Sequence, residues 1–434
     1  MRNHTNLEII ALATCFWSCA PQPRPVEPRS GSAGKTRQTP QDSQTAREVR
    51  PQGKATIQSV AGQICRSKDL KIEQLFSADF REGGTVKRLV RRLTKQRSDF
   101  GPCLRVEHRG KEQVRYVHEK AIIVGRVYLN SQGLVDGIWF DHEIPRKDSL
   151  KKILAEMREL PGKVALTVRR EGQPNLASLR SNEPLAVASA FKLFVFKALI
   201  EEIRKGKMKW QDVIRLKKVH QVRRSFPFGR FAAGHAVTLE TLAAFMMMTS
   251  DNSATDHLIH YLGRSNVEQY AGPRNRPLPT TLEMYKLKSP KLRSFATQYI
   301  KARESGRRAV LKKLSGISAD QIESTRKPTL VDQIEWFYTT NELCEVILSL
   351  KTSPLLGFNK GLARKDPAWD KVAHKSGYEP GARNFTFALR HRSSQRWYCL
   401  SASWNNPKAR LKNSLFRTLV RRVMFVLSEK EAGK

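Results

Sequence analysis

Ser189 and Lys192 stand three residues apart at the head of an apolar run over residues 189–203. On a helix that spacing puts both on one face. A serine hydroxyl is a weak nucleophile, and a neutral amine beside it can take its proton. The amine must be desolvated, or held beside another cation, to be neutral near pH 7. Ser250-Asp251-Asn252 adds a second hydroxyl with an amide two residues on, and Lys375-Ser376-Gly377 adds a cation, a third hydroxyl and a residue without a side chain. Such a set suits attack by Ser189 on a carbonyl carbon, with Lys375 available as the second cation. The Ser-x-x-Lys spacing alone is weak, since Ser32 with Lys35 and Ser149 with Lys152 repeat it.

These residues need a rigid frame, and the hydrophobic periodicity supplies one. Leu150, Ile153, Leu154, Met157 and Leu160 mark an amphipathic helix that Pro161-Gly162 stops. Residues 164–168 read as a strand, with 177–179 as its hairpin partner. A helix follows over 189–203 and another apolar helix over 239–248. Residues 383–391 and 397–404 read as two strands joined by a polar turn, and 410–427 as a closing helix. The strands come from both ends of the segment, which makes a split α/β arrangement: an antiparallel sheet flanked by helices over 146–434. Residues 56–145 read as a smaller α+β domain. Its helices lie near Ile72–Phe76 and Val86–Leu93, and its strands at 104–108, 113–117, 121–124, 127–129 and 134–140.

The chain has 434 residues, with 78 Lys and Arg against 40 Asp and Glu, for a formal net charge of +38. That field favours anionic surroundings such as acidic wall polymers or anionic lipid, although a solvated basic surface explains it as well. No zinc-knuckle spacing, basic zipper or aromatic-interleaved RNA motif is present, so nucleic acid is not an expected partner. Residues 1–20 read as a leader. Leu12-Ala13-Thr14-Cys15 resembles a lipoprotein box after the short apolar stretch that begins at Ile9. Residues 21–55 are a proline-rich, aromatic-free linker. The expected location is therefore the cell envelope, periplasmic or membrane-anchored. Cys65, Cys103, Cys344 and Cys399 are far apart and lack metal spacing. They read as buried free thiols, with Cys65–Cys103 the one pairing that export would permit. His257 and His260 lack a third partner, so no metal site is expected, and nothing in the sequence implies a cofactor.

In their order and context, the three strings resemble the S-x-x-K, S-D-N and K-T-G set of class A β-lactamases and penicillin-binding proteins. The resemblance covers about residues 147–434 and implies the β-lactamase/transpeptidase-like α/β fold. It implies that Ser189 is the nucleophile of an acyl-enzyme, with Lys192 as proton acceptor. Ser250 would relay a proton to the leaving nitrogen, while Asn252 orients Lys192 and holds a substrate carbonyl. Lys375 and Ser376 would bind the substrate carboxylate, and Gly377 would leave space for ligand. The backbone N–H groups of Ser189 and Tyr378 would form the oxyanion hole. Class A enzymes also carry a glutamate that drives deacylation. Glu283 occupies the right neighbourhood, but Leu287 stands four residues on where those enzymes have Asn. Thr280 and Thr281 before it equally suggest a helix start.

Residues 286–327 form an insertion. Ten Lys or Arg face one acid over 286–313, which suits a lid, an anion-binding face or a solvated helix. This insertion and the string Glu335-Trp336-Phe337-Tyr338-Thr339-Thr340 resemble two-domain serine hydrolases, one of which belongs to clavulanic acid biosynthesis. Those enzymes carry an N-terminal cone-shaped domain like nuclear transport factor 2 or ketosteroid isomerase, and 56–145 resembles it in element order. The resemblance implies a monomeric hydrolase of β-lactams or related amides and esters. A D,D-peptidase or esterase of the penicillin-binding type, and a non-catalytic basic envelope-binding protein, are the alternatives.

Overall fold

The structure is a computed structural model, and it describes residues 55–67, 72–222, 225–323 and 325–432. The leader and nearly all of the linker fall outside the described residues. From Gly53 to Lys434 the chain forms one compact unit.

At its centre lies a five-stranded antiparallel sheet. The strand order is Trp369–Glu379, Ala382–His391, Trp397–Asn405, Lys163–Arg170 and Asn175–Leu179. Two strands from the start of the domain thus complete a sheet begun by three from its end. The alternation of strands places Phe385, Phe387 and Leu389 on one face, against the opening helix Leu150–Arg158 and the closing helix Asn413–Ala432. Arg422 ties the two helices, bonding Asp148 at 2.7 and 3.0 Å and Glu156 at 2.6 Å. The other face carries a buried polar ladder. Asn384 donates to Ser403 Oγ at 2.9 Å, Thr386 donates to Asn384 Oδ1 at 2.9 Å, and Thr386 and Ser401 meet at 3.0 Å. Buried hydroxyls and amides tolerate such a position because each finds a partner.

Beyond that face lies the helical block, which includes Lys192–Arg204, Leu239–Met248, Asn252–Leu262 and Thr340–Ser349. Phe191, Phe194 and Phe196 belong to its core. Phe191 stacks on Trp336 with ring centroids 3.8 Å apart, and Phe194 stacks on Tyr338 at 3.9 Å.

The described residues up to Pro145 form helices packed on a four-stranded antiparallel meander: Cys103–His108, Gln113–His118, Ala121–Leu129 and Val135–Pro145. The helix Thr85–Phe100 covers the expected apolar positions, and the two short strands expected at 121–129 are one continuous strand.

Two expectations about local structure change. The four cysteines are not free thiols, because Cys65 joins Cys103 and Cys344 joins Cys399. Their Cα atoms lie 5.4 and 5.5 Å apart, within bridging reach, because helix packing on the sheet brings distant cysteines face to face. The insertion is not a free lid but a pair of packed helices with a solvated, charged outer face. Its helices Arg293–Lys301 and Glu304–Ser315 bury Ala296, Tyr299, Val310, Leu311 and Leu314 in the main core, with the charges on the outer side. Arg308 docks it further by pairing with Glu268 at 2.6 Å.

Candidate active site

The nucleophile turn is the first piece. Val187 N–H donates to Trp336 O at 3.0 Å, and Ala188 then takes a left-handed φ of +45°. Such a conformation is rare for a residue with a Cβ, and it redirects the chain before Ser189. One tight turn over Ala188–Phe191 precedes the α-helix, which begins at Lys192 rather than at Ser189. Ser189 remains half-buried while Lys192 is fully buried.

The edge strand Trp369–Glu379 closes against this turn. A Cβ on Gly377 would sit 1.9 Å from Val187 O, 2.9 Å from Ser189 N and 3.0 Å from Ala190 N. Any side chain there would strike backbone, so glycine is required. The space it leaves is filled by the nucleophile turn rather than by ligand, which corrects the sequence expectation. The same contact sets Ser189 N beside the residue before Tyr378.

Ser250 sits between two helices, after the C-cap Thr249 and before the N-cap Asp251, with a left-handed φ of +62°. Asp251 is structural. Its Oδ1 accepts from Ala254 N at 2.7 Å and its Oδ2 from Phe228 N at 3.2 Å. The turn points Ser250 and Asn252 at Lys192. Lys192 Nζ donates to Ser250 O at 2.6 Å, Ser250 Oγ at 3.1 Å and Asn252 Oδ1 at 2.6 Å. Lys375 Nζ reaches the same Ser250 Oγ at 2.8 Å and also bonds Ser376 O at 3.1 Å. One hydroxyl thus bridges two buried amines.

Burial governs the charge on both lysines. Desolvation lowers the Lys192 pKa to about 7, against the opposing pull of Asp251 and Asp256. Lys375 lies well below the ordinary lysine value, first through burial and then through the nearby cations Lys192 and Arg383. Arg383 itself is lowered to about 10 by burial and by Arg417, and its guanidinium lies over the Tyr378 and Phe385 rings at 5.5 and 4.1 Å. Tyr378 is 47% exposed, so its ring stands at the mouth of the site.

Glu283 is not among the assembled groups. It closes a reciprocal cap on the helix Thr281–Lys288. Its Oε2 accepts from Thr280 N at 2.8 Å, its N–H donates to Thr280 Oγ1 at 3.2 Å, and its Oε1 pairs with Arg264 at 2.7 Å. Both carboxylate oxygens therefore have structural partners. The connector 272–280 that precedes this helix contains no Asp or Glu.

Several neighbours escaped the sequence reading. Tyr285 OH accepts from Asn252 Nδ2 at 3.1 Å. Asp256 accepts from Thr281 N and Oγ1 at 2.7 and 2.6 Å and from Leu282 N at 2.8 Å, and burial raises its pKa to about 7. Lys288 bonds Glu335 at 2.6 Å and Glu379 at 2.7 and 2.8 Å, and so braces the end of the Gly377 strand. Burial and the neighbouring Glu335 raise the Glu379 carboxyl well above its ordinary range. Only the raw presence of these residues could have been read, because tertiary packing creates the cluster. Conversely, the Ser149-to-Lys152 spacing is a helix cap, with Ser149 Oγ accepting from Lys152 N at 3.2 Å. His257 has both ring nitrogens on backbone groups, Ser253 O at 2.7 Å and Lys217 N at 2.8 Å.

A family model described as the Beta-lactamase enzyme family matches residues 145–307. That span contains Ser189, Lys192, Ser250 and Asn252. The antiparallel sheet with helices on both faces is the β-lactamase/transpeptidase-like fold. Among solved structures, a β-lactamase from Sphaerobacter thermophilus DSM 20745 is similar at 16% identity, over 65% of this chain and 96% of that one, with a TM-score of 0.45. A class A β-lactamase representative from Bacteroides cellulosilyticus DSM 14838 is similar at 16% identity, over 65% and 97%, with a TM-score of 0.45. A protein named PBP-A is similar at 12% identity, over 64% and 96%, with a TM-score of 0.44. No curated protein sequence matches the chain.

Proposed function

We propose that the chain is a serine hydrolase that acylates at Ser189 and acts on β-lactams or related amides and esters. The observation that carries this reading is Lys192. Buried, with its Nζ against Ser250 and Asn252 and its pKa lowered to about 7, it holds a useful fraction of neutral amine at neutral pH. Ser189 Oγ attacks the carbonyl carbon as Lys192 takes its proton. The resulting oxyanion faces the N–H groups of Ser189 and Tyr378. Ser250, bonded to both lysines, passes a proton to the leaving nitrogen or oxygen as its bond to carbon breaks. Lys375 and Ser376 hold the substrate carboxylate. Water then releases the acyl group.

That last step is the weak one. With Glu283 committed to Thr280 and Arg264, and no carboxylate in 272–280, slow deacylation is expected. The same observation favours the penicillin-binding type of D,D-peptidase or esterase as the second reading. The two disulfides and the basic surface support an envelope location, since disulfides persist in oxidising compartments. The test is rapid mixing with a chromogenic cephalosporin and, in parallel, with an acylated D-Ala-D-Ala peptide. A burst equal to the enzyme concentration, absent in Lys192→Ala, supports the reading. A full burst in that variant contradicts it. Cleavage of the peptide selects the second reading.

A further inference from the structure

A separate cavity of about 230 Å³ lies where the outer face of the N-terminal meander meets the closing helix and the segment 361–366. It shares no residue with the Ser189 site. Its walls carry Arg115, Arg126, Arg364, Lys365 and Arg421, against the carboxylates of Asp141 and Asp366. Part of that charge is balanced. Arg126 holds Asp141 through two bonds of 2.9 Å, and Arg115 Nη1 holds Glu429 at 2.8 Å. The rest is not. Among the described residues no ion pair is formed by Arg364, Lys365 or Arg421 within 4.0 Å.

Unmet donors point the same way. Arg115 is 6% exposed, yet its buried Nε has no partner. His142 Nδ1, also buried at the cavity wall, has none either. A buried polar atom left alone costs free energy, and unmatched guanidinium groups raise that cost. Arg421 shows the strain: burial first, and then Arg417, pull its pKa below the ordinary arginine value. Burial likewise pulls His142 down to about 4, helped by Arg421 and Arg115, so the ring is neutral at pH 7 and can donate from one nitrogen. Burial raises the Asp366 carboxyl above its ordinary value. Leu362, Met424 and Phe425 complete the wall with apolar surface.

We propose that this cavity is a binding site for a small oxyanion-bearing molecule, gripped by Arg421, Arg364 and Lys365 and by the open Nε of Arg115. Planar guanidinium groups match phosphate and carboxylate oxygens in paired hydrogen bonds. The volume admits a small metabolite rather than a polymer, and the apolar wall accommodates a short carbon skeleton. The site is independent of the acylation chemistry.

Isothermal titration of the full chain with inorganic pyrophosphate and with succinate tests it, because these probes carry the two candidate oxyanions. Saturable one-to-one binding of at least one probe is expected, weakened at least tenfold in both Arg421→Ala and Arg364→Gln. The paired variants guard against a folding defect, since Arg364 is exposed. Lys151→Ala, an exposed charge on the opening helix, should bind as the parent does. No saturable binding of either probe overturns the proposal. So does equal weakening by Lys151→Ala, which would assign the effect to the general +38 field.

Discussion

Folding strips Lys192 of water and lowers its pKa to about 7. In the proposed mechanism its acid–base behaviour therefore sets the pH dependence of acylation. With the folded pKa at about 7, kcat/KM for acylation should rise about tenfold per pH unit below pH 7 and level above it. Stopped-flow rates across pH 5 to 9 measure this, and a flat profile contradicts it. The stability effect has the same pH slope as a salt-bridged carboxylate, because folding lowers the pKa in both cases. The unfolded chain binds the extra proton between about pH 7 and the usual 10.5, so Lys192 costs stability below pH 7 and that cost fades as the pH rises through this window. Glu283 provides a second residue-level test. As a capping residue, Glu283→Ala should cost about 1 kcal/mol in urea unfolding, while Glu283→Gln should keep the acyl-enzyme decay rate of the parent. A collapse of that decay rate in Glu283→Gln would return Glu283 to a catalytic role.

Elements turn those residues toward each other, and here the sequence was unevenly informative. The strings at Ser189, Ser250 and Lys375 were legible because their chemistry depends on residue type. Strands 164–168, 383–391 and 397–404 were legible because alternation tracks the buried face. The positive φ angles at Ala188 and Ser250 were not, since neither residue type asks for them. The reason for Gly377 was also hidden, because it lies in Val187, nearly two hundred positions earlier in the chain and adjacent only once folded. Of the two disulfides, Cys65–Cys103 was the pair the sequence offered, whereas Cys344–Cys399 was hidden for the same reason: those two meet only after the helix Thr340–Ser349 docks on the sheet. That bridge ties the helical block to the strand Trp397–Asn405. Replacing both cysteines with serine should lower stability by about 2–5 kcal/mol, read as an earlier urea midpoint, with no change in the acylation rate of the folded fraction. An unchanged midpoint would mean the bridge adds nothing to the packing.

At the scale of the whole molecule, one sheet built from both ends of the domain, with the helical block packed on it, brings three distant strings together. Arg422 locks those ends together through Asp148 and Glu156. Among the described residues no helix is long and apolar enough to cross a membrane. Covalent acylation of Ser189 is open to a direct test. Intact-protein mass, followed over time with a penicillin, reads it on the parent and on Ser189→Ala. A one-to-one adduct that decays slowly is expected on the parent, and none on the variant. An equal adduct on Ser189→Ala, or none on the parent with penicillins and activated esters alike, would contradict it.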